Sequence, residues 1–148
     1  MPSSVIIGIG NPYRGDDSAG WAVVDALGTL EGIDLVKVRS DFAELLELFS
    51  SYTNVYVVDA CQNSEQVGSW LCLDLLEEEI EEKGLSSTHG FGLVQAVAFA
   101  KSLDQLPQKL QLYAIVGRQY EVGSNMSSEV VQAIDHVKQA LLAEVRHA

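Results

Sequence analysis

Basic residues are scarce in this 148-residue chain: nine Lys and Arg stand against 21 Asp and Glu, a net charge of −12. That deficit argues against binding to the phosphate backbone of nucleic acid or to anionic lipid, and favours a cationic or metal-bearing partner. Cysteine is equally sparse. Cys61 and Cys72 lie eleven apart with no second pair, so neither a zinc ribbon nor a disulfide framework is legible, and both are expected to be reduced. No apolar stretch approaches the roughly 20 residues that a membrane span requires. The opening Met1-Pro2-Ser3-Ser4 has neither the positive start nor the apolar core of a secretion signal, so the expectation is a cytoplasmic protein with no membrane partner. Internal repeats, linkers and low-complexity tracts are also missing. With 47% hydrophobic residues, the chain has enough apolar material for one domain over residues 1–148, without disulfides or a structural metal.

What the chain does contain is an alternation of apolar runs with segments of helical period, the pattern of a largely parallel sheet covered on both faces. Val5 to Ile9, Ile33 to Val38, Val55 to Val58 and Leu110 to Val116 read as strands. Of these, Val55-Tyr56-Val57-Val58 is the clearest: β-branched and aromatic, it is expected to be central and to end at Asp59. Gly68 to Leu75 alternates like a further strand of undecided direction. Helices are expected over Ser18 to Leu27, with Trp21, Val24 and Ala26 to Leu27 inward, and over Asp41 to Phe49, with a stripe of Phe42, Leu45, Leu46 and Phe49. A largely buried helix is expected over Gly90 to Leu103. The last helix is capped by Asn125 or Ser127; it buries Val130, Ile134, Val137, Leu141 and Val145 and leaves His136 to solvent. His147 is expected to fray. The fold class is thus α/β, a three-layer sandwich with a mostly parallel twisted sheet of about five strands and helices on both faces. The glutamate-rich run from Glu77 to Glu82 reads as a solvated face or loop.

The most informative stretch is GIGNPYRGDDSAGW, residues 8 to 21. It follows the first strand, where glycines suggest a dinucleotide-binding turn, but the third glycine of G-x-G-x-x-G would fall at Tyr13. A phosphate-cradling loop would need Gly-Lys-Ser/Thr where this chain has Asp16-Asp17-Ser18, and two carboxylates there repel a phosphate. The turn is therefore suited to a cation or to proton transfer. Asp16, Asp17 and Ser18 are also acceptable helix caps, and adjacent side chains on a turn diverge, so one aspartate is expected to face a site and the other to serve the backbone.

Loops leaving the carboxyl ends of parallel strands line the ligand crevice of such sheets. Asp17 follows the first strand, Asp59 closes the central one, and His89 in SSTHGFGL precedes a helix, so all three can reach one edge. Two carboxylates and an imidazole suit nickel, zinc or iron and leave coordination positions open.

These motifs resemble those of the nickel-iron hydrogenase maturation endopeptidases: Gly8-x-Gly10-Asn11 with Asp16-Asp17-x-x-Gly20, the strand closing on Asp59-Ala60, and His89-x-Phe91-Gly92-Leu93 followed by an apolar helix, Pro107 and the last strand. The resemblance implies a peptidase that removes the C-terminal extension of a hydrogenase large-subunit precursor after nickel insertion. It further implies that Asp17, Asp59 and His89 are the metal-contacting and catalytic residues, that Asn11 and Asp16 shape the first loop, and that no permanent cofactor is held, nickel being supplied by the client. Arg39-Ser40-Asp41-Phe42 stands where many members carry Asp-Gly-Gly-Thr, which points to a different subgroup and client. Cys61 is expected to pack rather than to act as a nucleophile. The alternative function is a phospho-acceptor receiver-like signalling domain with Asp59 as acceptor, although Lys109 stands too early for the lysine such a domain requires.

Overall fold

The computed structural model describes residues 2–87 and 92–146. His89, the expected helix start at Gly90, Phe91 and His147 therefore lie outside the described residues. Six strands, β1 (Ser4–Ile9), β2 (Ile33–Val38), β3 (Asn54–Gln62), β4 (Trp70–Asp74), β5 (Ser86–Ser87) and β6 (Lys109–Val116), form one sheet. Four helices, α1 (Ala19–Leu27), α2 (Phe42–Ser51), α3 (Gly92–Ser102) and α4 (Ser128–Arg146), cover it. The strand order is β2-β1-β3-β6-β4, with the two-residue β5 beside β3.

β1, β2, β3 and β6 are mutually parallel, as expected of apolar runs separated by helices. β3 is the middle strand, and Val55 to Cys61 are all buried. β4, whose direction the sequence left open, runs antiparallel to β6 at the sheet edge, with Trp70 opposite Ile115 and Asp74 opposite Gln111. Its half-exposed alternation is what an edge strand with one covered face shows.

Alternate residues of the buried strands feed two cores. Val5, Ile7, Val55 and Val57 pack on one face under α2 and α3, and Ile6, Tyr56 and Val58 on the other under α1 and α4. The three-layer reading holds. Asp41 caps α2 through its carboxylate, which accepts from the N–H groups of Ala43 (2.9 Å) and Glu44 (3.1 Å). α4 buries Val130, Ala133, Val137 and Leu141, with Ile134 and Val145 partly covered and His136 exposed. Among the described residues no helix is long and apolar enough to cross a membrane.

Three expectations need correction. Trp21 is only half-buried and Ala26 is exposed: Val23 takes the inward position, while the Trp21 indole lies along the sheet edge and donates to the Val38 carbonyl at 2.8 Å. α3 is buried on one face alone, through Leu93, Ala96 and Ala100, because small residues rather than a wide apolar stripe meet the sheet. Asp59 does not end its strand; β6 continues to pair with β3 as far as Cys61, and β5 joins there from the other side.

Candidate active site

The site is built where the sheet changes direction of growth. β1 connects outward to β2, whereas β3 leads toward β6, so the β1/β3 border is the switch point at which open α/β sheets present their crevice. Pairing of β1 with β3 ends at Gly8 and Val58, one residue before Asp59. Into this gap comes the turn that follows β1.

The turn is held close by glycine. A Cβ at Gly20 would collide with the carbonyl oxygens of Ile9 and Val58, so the first turn of α1 lies directly on the backbones of β1 and β3. Gly15, at φ +57°, would strike the Gln119 carbonyl and the Ser124 hydroxyl if it carried a side chain. The glycines thus serve backbone contact, not phosphate binding. Asn11 shapes the loop as expected: its side chain accepts from Tyr13 N–H at 3.0 Å, and its own N–H donates to the Asp17 carbonyl at 3.0 Å.

The two adjacent aspartates diverge. Asp16 is fully buried, and its carboxylate accepts from the backbone N–H groups of Arg118 (2.7 Å), Gln119 (2.9 Å) and Ser127 (2.7 Å) and from the Ser127 hydroxyl (2.8 Å). Burial alone raises its pKa, but these four donors outweigh burial and hold the carboxyl below its usual 3.8. Asp16 is therefore a structural staple between the first turn and the 117–127 loop. It is not a helix cap, and Ser18, at the N-cap position of α1, makes no side-chain cap: its hydroxyl donates to the Gly15 carbonyl. Asp17 is also fully buried, 3.9 Å from the Arg14 guanidinium.

Asp59 is 3% exposed, level with Ala114 of β6, and borders a small apolar cavity lined by Cys61, Ile80, Leu85 and Leu93. Burial in this setting, with the Asp59 charge nearby, pushes the Cys61 thiol up to about 12. A thiol so raised is protonated at neutral pH, so Cys61 packs and does not attack. Tyr120, which sequence reasoning missed, ties the 117–127 loop to β3: its hydroxyl donates to the Cys61 carbonyl at 3.1 Å. The phenol pKa is raised by burial and then by Cys61, Asp16 and Asp17. Arg14 completes the frame by donating from Nε to the Tyr120 carbonyl at 2.9 Å. No local pattern in Val116-Gly117-Arg118-Gln119-Tyr120 marks the tyrosine, because its role comes from a contact 59 residues away.

Asp17 and Asp59 therefore stand buried at the same switch point, one in the turn and one in the central strand. His89, the third expected site residue, lies outside the described residues. Among the described residues no three His, Cys, Asp or Glu side chains are grouped to hold a metal ion. The chemistry of this part of the site is that of two hard oxygen donors on rigid elements, which fits a divalent cation that brings its remaining ligands. The receiver arrangement fails on geometry: Lys109 pairs with Asn54 at the far end of β6 from Ala114, the register partner of Asp59.

Comparison with known proteins points the same way. A family model described as hydrogenase maturation protease, HycI, matches residues 23–144, a span that takes in Asp59 and His89 and begins after Asp17. The hydrogenase-maturating endopeptidase HybD from E. coli is 21% identical, with 99% of this chain and 93% of that one aligned at a TM-score of 0.84. The [NiFe] hydrogenase maturation protease HybD from Thermococcus kodakarensis is 21% identical, over 97% of this chain and 98% of that one, at a TM-score of 0.76. A hydrogenase 2 maturation peptidase from a Thaumarchaeota archaeon is 25% identical over 96% and 97%, at a TM-score of 0.67. No curated protein matches the sequence significantly.

Proposed function

The chain belongs to the hydrogenase maturation protease family, a family of endopeptidases, and from that premise we propose that it removes the C-terminal extension of a nickel-iron hydrogenase large-subunit precursor once nickel is in place. In this reading Asp17, Asp59 and His89 engage the nickel carried by the client, and the protease holds no permanent cofactor. The observation that carries it is the burial of two carboxylates, Asp17 at 0% and Asp59 at 3% exposure, at the switch point of the sheet.

Carboxylates this deeply buried are costly unless they meet positive charge or hydrogen-bond donors, and a cation arriving with the precursor adds to whatever the protein itself supplies. Because the turn rests on β1 and β3 and is stapled by Asp16, the donors are preorganised. Engagement of the client's metal fixes the neighbouring peptide bond against the site, so a precursor without nickel lacks the anchor that positions it. Hydrolysis then needs an activated water, delivered either by metal polarisation or by a carboxylate acting as general base.

The test is incubation of the protein with large-subunit precursor, with and without nickel, followed by mass measurement of the precursor's C-terminus. The expected result is a single truncation that depends on nickel. Asp17→Asn, Asp59→Asn and His89→Ala are each expected to slow it by at least about 100-fold, the loss typical of removing a positioning group from a preorganised site. Equal cleavage of nickel-free precursor, or normal rates in all three variants, would refute the assignment.

A further inference from the structure

The acidic run from Glu77 to Glu82 forms a solvated loop, one of the two forms expected of it, and not a helix face. After β4 the chain turns on Asp74, whose side chain accepts from Leu76 N–H at 3.0 Å. It then crosses the outer side of α3 and closes with a single 3-10 turn, Glu81–Lys83. Between this segment and α3 lies a groove of about 340 Å³. Its floor is apolar, made by Leu76 and Ile80 on one side and Val94, Val97 and Ala98 on the other. Its rim is acidic: Glu78 is paired with Lys83 at 3.0 Å, and among the described residues Glu77, Glu79, Glu81 and Glu82 line it with a single cation, Lys101.

The groove adjoins the candidate site through one side chain. Ile80, 6% exposed, lines the groove and also the small cavity that Asp59 borders. We propose that this groove holds a stretch of the precursor polypeptide near the scissile bond, with an apolar side chain seated over Val94 and Val97 and Lys or Arg residues against the glutamate rim. This rests on the processing reading above and adds to it the chemical class of the segment recognised. An endopeptidase must grip chain on at least one side of the bond it cuts, and the groove has the volume to seat one or two side chains. Charge complementarity selects the occupant: the rim attracts a cationic segment and repels both an acidic peptide and a second copy of this chain, which carries −12.

The experiment compares steady-state cleavage of nickel-loaded precursor by the wild type, by the triple variant Glu79→Gln/Glu81→Gln/Glu82→Gln, and by Ala98→Trp. These changes fall on exposed positions, so the fold is retained and circular dichroism verifies it. Both variants are expected to raise KM about tenfold with kcat unchanged. The wild-type KM is expected to rise with salt between about 0.05 and 0.5 M, and the glutamine variant to lose most of that dependence. A wild type that cleaves, with variants matching its KM and salt profile, overturns the groove proposal alone. A wild type that cleaves no precursor refutes the processing reading and this one with it.

Discussion

The fate of adjacent carboxylates is decided by which hydrogen-bond donors each can reach. Asp16 collects four, and its folded-state pKa is lowered, so its contribution to stability is complete above its unfolded value of 3.8 and is lost as pH falls through the folded value. Asp16→Asn keeps the shape but turns an amide N–H toward backbone donors, and is expected to cost about 3 kcal/mol in urea unfolding at neutral pH. The same variant should show a flatter loss of stability than the wild type as pH drops below 3.8. Cys61 gives a second reading at this scale. With its thiol raised to about 12, it should resist iodoacetamide at neutral pH in the folded protein while exposed Cys72 is alkylated; peptide mass mapping separates the two. That one aspartate would serve the backbone was legible in the sequence, since neighbours on a turn diverge. Its donors were not, because they lie 102 to 111 residues away.

At the scale of elements, the close seating of α1 makes a sharp prediction. Alanine is favoured over glycine by up to about 1 kcal/mol inside a helix, so Gly20→Ala would stabilise α1 by propensity alone. The added methyl meets two strand carbonyls instead, so a net loss of about 2 kcal/mol is expected, read as a lower denaturant midpoint. β3, α2 and α4 were legible because burial imposes a period: continuous for a central strand and 3.6 for a helix packed on one face. The direction of β4 was not, since an alternating strand reads the same either way. α3 was overestimated as buried because alanines and valines carry little periodic contrast. The apolar run of β3 stops at Asp59, which reads as a strand end, yet the pairing that extends β3 beyond it comes from β5 and β6, elements distant in sequence.

Over the whole molecule, the staple joins segments that the fold otherwise keeps apart. The turn at 13–17 meets the 117–127 loop through Asp16, through Asp16 N–H to the Gln119 carbonyl at 2.6 Å, and through Gly123 N–H to the Tyr13 carbonyl at 2.8 Å. Two regions bound this way open together. Native-state hydrogen exchange should give the amides of Asp16, Arg118, Gln119 and Ser127 one common opening free energy, and Asp16→Asn should lower all four in step. Separate opening energies would show that the staple does not couple them. The same wiring bears on biosynthesis. The acidic corner leaves the ribosome 111 residues before Ser127, so a nascent copy carries both acids without the brace that fixes them and acquires a finished crevice only once that later loop has emerged.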